Sequence, residues 1–169
     1  MKLTLWQRLD LVARQITPFL VTLLLVMLAL VPLRVPNLAP IVPWLALVAV
    51  YYWTVYRPDL MPPLAVFGIG LFHDLATGTN VGVGALLLLL VHVAVLSQRR
   101  FFVSRSFLII WIGFSVIAAG AMLLMWMVIC TLEGELLSPR PVVFQYLITV
   151  AAYPPMAWLF TGVQRWLLR

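Results

Sequence analysis

Few side chains in this sequence could do acid–base, nucleophilic or metal chemistry: two histidines, five carboxylates and a single cysteine. Asp74 is the most telling of them. It stands in an otherwise apolar run and is followed by Gly78, Gly82 and Gly84. An intramembrane carboxylate costs roughly 2.5–3.5 kcal/mol at a helix centre, so it must face the bundle interior, find donors or stay protonated. The glycines make the next turn compact and allow close backbone approach. Asp74 can then accept bonds from the backbone N–H groups of that turn, as capping carboxylates do. A proton or cation site, or one wall of a solute pocket, would use the same residue. With no second acid in the helices to form a relay, tying a helix end to its glycine-rich loop is the preferred role.

The remaining candidates do not converge. His73 lies about 100° around a helix from Asp74, so the two need not share a partner. His92 falls on the next helix, about 16 Å deeper, which places it out of easy reach. Cys130 is alone in an apolar run, which excludes an intramolecular disulfide or a zinc cluster. H-E-x-x-H, G-x-S-x-G, P-loop and paired-cysteine motifs are missing. The expectation is no catalytic residue, no metal site and no cofactor.

The elements that must hold these residues are membrane helices. Of 169 residues, 64% are hydrophobic and 9% charged, against roughly 45–50% and 25% in soluble domains. The mean hydropathy is +1.11. A water-soluble surface cannot be built from so few charges. The pI near 10.3 would suggest nucleic acid in a soluble protein; here eleven Lys and Arg read as topology signals, and no nucleic-acid partner is expected. Crossing a bilayer takes about 20 mostly apolar residues. Charge-free stretches predict an all-α bundle of six transmembrane helices, near 16–33, 38–56, 60–76, 82–97, 107–132 and 142–163. The third and fourth are short enough to form a buried hairpin instead. Residues 1–15 read as an interfacial amphipathic segment, basic on its wet face, and 16–169 as a single transmembrane domain. The first span has no Ala-x-Ala ending and is expected to be retained as an anchor. With the N-terminus inside, nine Lys and Arg fall on one side and only Arg34 and Arg140 on the other. Both termini are therefore expected in the cytoplasm. Trp44, Tyr51, Tyr52, Trp53 and Trp158 near span ends read partly as interfacial belts. Met122, Met125 and Met127 read as lipid-facing or packing residues.

Several polar marks occur in a fixed order: Pro36, Asn37 and Leu38; Pro43 and Trp44; Tyr51, Tyr52 and Trp53; Tyr56, Arg57 and Pro58; then Gly68, Gly70, Leu71, Asp74, Gly78 and Gly82. Arg140 with Pro141, Tyr153 with Pro154, and a basic ending through Arg165 complete it. In this order the sequence resembles the bacterial rod shape-determining protein MreD family. The resemblance implies a non-enzymatic inner-membrane scaffold of the cell-elongation complex. Its implied partner is an MreC-like protein and, through it, the MreB cytoskeleton, the RodA glycosyltransferase and the elongation-specific penicillin-binding transpeptidase; membrane lipids are implied as well. The family marks that matter are Arg57, Pro58, Gly70, Asp74, Gly78, Gly82 and Pro141, in structural or partner-binding roles. His73 inherits no role. The implied fold is similar to the substrate-binding subunits of energy-coupling-factor transporters, which makes a vitamin-transporter subunit the competing reading. Against it, residues 19–30 offer no small-x-x-x-small docking face. Polar residues able to line a pocket are also few: His73, Asp74, Thr77, Thr79 and Asn80.

Overall fold

The computed structural model describes residues 5–29, 42–103 and 105–167; for 5–16, 102–103 and 166–167 the backbone alone is described. Among them are six α-helices and no strand: α1 (Leu5–Ala29), α2 (Leu45–Tyr56), α3 (Pro63–Thr77), α4 (Val83–Val103), α5 (Phe107–Glu133) and α6 (Arg140–Leu167). A 3₁₀ turn at Pro58–Leu60 joins α2 to α3. The protein is thus an all-helical membrane protein, and α4, α5 and α6 are long and apolar enough to cross a bilayer.

α2 is the axis of the molecule. It packs against α1, α3, α4 and α6, and every residue from Ala46 to Val55 is buried. Its twelve residues span about 18 Å, well short of a hydrocarbon core of about 30 Å. The expected start near 38 is not seen within the described residues: 42–44 are non-helical, and 38–41 lie outside them. Pro43 disfavours helical backbone before it, and Trp44 serves as N-cap, its backbone N–H donating to Thr149 Oγ1 at 3.0 Å. At the other end Arg99 Nε donates to the carbonyl of Val55 at 3.1 Å. A guanidinium there satisfies an orphan carbonyl and meets the negative end of the helix dipole. Extending α4 to Val103, beyond the expected 97, carries Arg99 on a rigid helix.

The aromatic belt expected of Trp44, Tyr51, Tyr52 and Trp53 is corrected by the structure. All four are buried, whereas Trp158 is 82% exposed. Enclosure of α2 by its neighbours turns these rings into core. Tyr51 and Phe114 meet edge-on, Phe114 stacks on Tyr153 at 4.5 Å, and Tyr52 lies 5.1 Å from Phe160. Aromatic pairs of this kind contribute about 0.5–1.5 kcal/mol beyond area burial. They hold α5 and α6 on α2. The methionines divide: Met122 is buried, Met125 half-buried and Met127 exposed.

The first helix also differs from expectation at its start. α1 runs unbroken from Leu5 through the anticipated boundary near 16, with Pro18 inside it. The amphipathic pattern of residues 1–15 and the end of the first span at 30–33 fall outside the described side chains and residues.

Cross-links identify the two ends of the bundle. Tyr52 Oη bonds to Thr161 and Gln164 of α6, and Arg99 reaches the end of α2. Arg57, Arg99, Arg100, Arg105 and Arg165 therefore share one end with Asp59. The opposite end carries Trp44, the α3–α4 turn and residues 133–140. Because Thr149 sits level with Trp44, the first nine residues of α6 project about 13 Å past the start of α2.

Candidate functional site

The α3–α4 hairpin, the most closely packed helix pair in the protein, gathers most of the singled-out residues. α3 begins behind Pro62 and Pro63, where a missing N–H costs nothing. It ends at Gly78, whose φ of 68° is left-handed and whose N–H returns to the carbonyl of Asp74. The Asp74 carbonyl also takes Thr79 N–H at 3.2 Å. Gly82, at φ 97°, then swings the chain into α4. Side chains with a Cβ rarely adopt either conformation.

Asp74 is fully buried and closes the hairpin from the side. Its Oδ2 accepts Gly82 N–H at 2.9 Å and Ala85 N–H at 3.2 Å. These belong to the first turn of α4, whose donors have no partner within their own helix. A cap supplied across a helix pair does the work usually done by a Ser or Asp at the N-cap position, and the positive helix end suits a carboxylate.

Two glycines make room for this. A Cβ on Gly84 would collide with the Asp74 carboxylate, and one on Gly70 would collide with the Ala85 backbone. Gly70 and Asp74 are four residues apart, hence on one face of α3. Gly70 lets the backbones approach, and Asp74 then bonds across the contact. Gly84, named with Gly78 and Gly82 for close backbone approach but outside the set of family marks, is the one whose missing side chain gives the Asp74 carboxylate its space. Its signal was the Gly82-x-Gly84 spacing beside an intramembrane acid.

The histidines part company. His73 Nδ1 lies 3.8 Å from Asp74 Oδ1, so the pair are neighbours after all, despite the 100° between their Cβ directions. The ring reaches around the helix and lies 6.0 Å from that of Trp44. His73 Nδ1, Asp74 Oδ1 and Trp44 Nε1 are buried without a hydrogen-bond partner. His92 is buried deeper in the bundle and pairs with Thr54 Oγ1 at 2.8 Å. The Thr54 hydroxyl proton is committed to the Val50 carbonyl at 2.6 Å. The Thr54 oxygen must then accept, which puts the proton of His92 on Nδ1.

The other marks stay apart. Arg57 ends α2 through its N–H to the Trp53 carbonyl, and Pro58 opens the 3₁₀ turn; both lie at the opposite end of the bundle. Pro141 stands in the first turn of α6, exposed. Thr77 and Thr79 bond to each other at 3.1 Å, while Thr77 and Asn80 are exposed. Among the described residues no three of His, Cys, Asp and Glu group as a metal would require.

The arrangement is a clamp: an acid and four glycines lock α3 to α4. A family model for the rod shape-determining protein MreD matches residues 12–163. No curated protein and no solved structure matches the chain.

Proposed function

The chain belongs to the MreD family of rod shape-determining proteins, and on that premise we propose that it is a non-enzymatic scaffold that binds an MreC-like protein in the bacterial inner membrane. The family match over 12–163 carries this reading, since it takes in nearly all the helices at once. Its role is in rod shape determination. Through the MreC-like partner it connects to the MreB cytoskeleton, the RodA glycosyltransferase and the elongation-specific transpeptidase.

The surface supports contact with another protein. Beyond the level of α2, the projecting α5–α6 tip exposes Leu132 and Leu136, the latter 87% accessible. Such a tip can meet a bitopic partner where its helix leaves the bilayer. Within lipid, that contact rests on close packing and occasional polar bonds, because apolar faces gain nothing by leaving the tails.

Mild-detergent purification should recover an MreC-like bitopic protein with this chain, and depletion should round a rod-shaped cell. Saturable binding of a vitamin by the purified chain, with no such partner recovered, would instead make it a transporter subunit.

The orientation follows from charge. The end with Arg57, Arg99, Arg100, Arg105 and Arg165 faces the cytoplasm under the positive-inside rule, with both termini on that side. Reporter fusions should place 98–104 inside and 133–140 outside. A periplasmic C-terminus would discard the six-span arrangement.

A further inference from the structure

Between the last turns of α4 and the first half of α5 runs an open, apolar groove of about 250 Å³. It is lined by Gln98, Phe101, Ile109, Ile112, Gly113 and Val116, with Ile117 behind them. Its wall residues Ile112 and Val116 are exposed on the outside of the bundle, where a bilayer would present acyl chains. At its basic end the Arg105 guanidinium lies 4.9 Å over the Phe101 ring. Phe101 is thus both groove wall and platform for the charge. A guanidinium on an aromatic face keeps its edge donors free to bind planar anions bidentately.

Arg99, just before Phe101, is committed to the α2 terminus. Arg100 and Arg105 are exposed, and among the described residues neither forms an ion pair with a carboxylate. No Asp or Glu occurs anywhere between Asp74 and Glu133. The basic end of the groove therefore carries an exposed Arg105 guanidinium with no carboxylate paired to it among the described residues.

We propose that this groove binds an anionic phospholipid of the surrounding bilayer, one acyl chain lying along α5 and the phosphate held by Arg105. The two halves of the site match the two halves of that molecule. A zwitterionic lipid offers the same phosphate but brings its own cation to a site that is already positive. A free phosphate would satisfy the guanidinium and leave the groove to any passing chain. Basic sites at the cytoplasmic ends of transmembrane helices are where such headgroups are recognised.

The test uses the full chain in mild detergent, with retained lipid read by native mass spectrometry. Phosphatidylglycerol and phosphatidylcholine of identical acyl chains are the probes. Wild-type protein should retain phosphatidylglycerol preferentially. Arg105→Gln should weaken that retention about fivefold, the effect of one charge at the surface, and narrow the preference over phosphatidylcholine. Val116→Trp fills the groove from a position 68% exposed, so it spares the core; it should weaken both lipids. Excess inorganic phosphate should not displace phosphatidylglycerol. Equal retention of the two lipids by the wild type would overturn the proposal, as would an Arg105→Gln protein with unchanged selectivity. So would displacement by phosphate, or a Val116→Trp protein that keeps both lipids but loses a copurifying membrane protein. That last outcome would make the groove a helix-docking surface. Partner recovery is read separately, so failure here leaves the scaffold reading standing.

Discussion

Asp74→Leu should cut the yield of folded protein several-fold, while Asp74→Asn should keep most of it. Leucine removes the acceptor for Gly82 and Ala85 N–H and leaves two donors at the start of α4 without partners. Each orphaned buried donor costs roughly 1–3 kcal/mol. Ala85 N–H is buried and bears that cost in full, while Gly82 N–H is part-buried and bears less; together they are a sizeable share of the roughly 5–15 kcal/mol that separates folded from unfolded protein. Asparagine keeps a carbonyl oxygen where Oδ2 stands and can accept both bonds; it gives up only the charge-assisted part of each. The readouts are monodisperse yield and thermal midpoint in mild detergent, together with recovery of an MreC-like partner. Should Asp74→Asn abolish function at normal yield and assembly, the carboxylate has a charge-dependent role and a purely architectural one is wrong.

Gly84→Val should be nearly as damaging as Asp74→Leu, and the two should not add. The valine Cβ would occupy the space of the Asp74 carboxylate, expelling the cap it was meant to accommodate. Overpacking of this kind costs about 1–3 kcal/mol before the lost hydrogen bonds are counted. Residues that share one network are expected to couple, so the double variant should lose little beyond either single one. Gly120→Val supplies the control. A Cβ at Gly120 meets nothing within 4 Å, and its stability should stay close to wild type. Thermal midpoints of the four proteins settle the matter. Full additivity of Asp74→Leu and Gly84→Val would mean that the two residues act in separate places.

The contrast between His73 and His92 shows where reading along the chain stops. Both are single histidines in largely apolar runs, and although His73 precedes Asp74, their 100° separation on a helix does not bring the two side chains together by itself. Only packing gives His92 a hydroxyl from α2 and turns His73 back toward the acid beside it. The same holds for Trp44, Tyr51, Tyr52 and Trp53. An aromatic run near a span end suits an interface as well as a core, and burial depends on what surrounds α2.

What the amino-acid order determines by itself follows from local physics. Hydrophobic run length sets the membrane helices, because a backbone in lipid must satisfy its own hydrogen bonds. Scarce charge excludes a soluble domain. Glycines at 78 and 82 set the turn after α3, because their backbone conformations exclude most side chains. A buried carboxylate must find donors, which is why Asp74 could be expected to bond to that turn. What only the tertiary structure decides is which donors those are, that Gly84 and Gly70 must be bare, and that α2 is a short helix enclosed by its neighbours. Each depends on how closely separate helices approach, which no helix's own pattern sets. In a bundle whose faces are nearly all apolar, hydrophobic pattern does not select the neighbours; shape, small residues and a few polar bonds do.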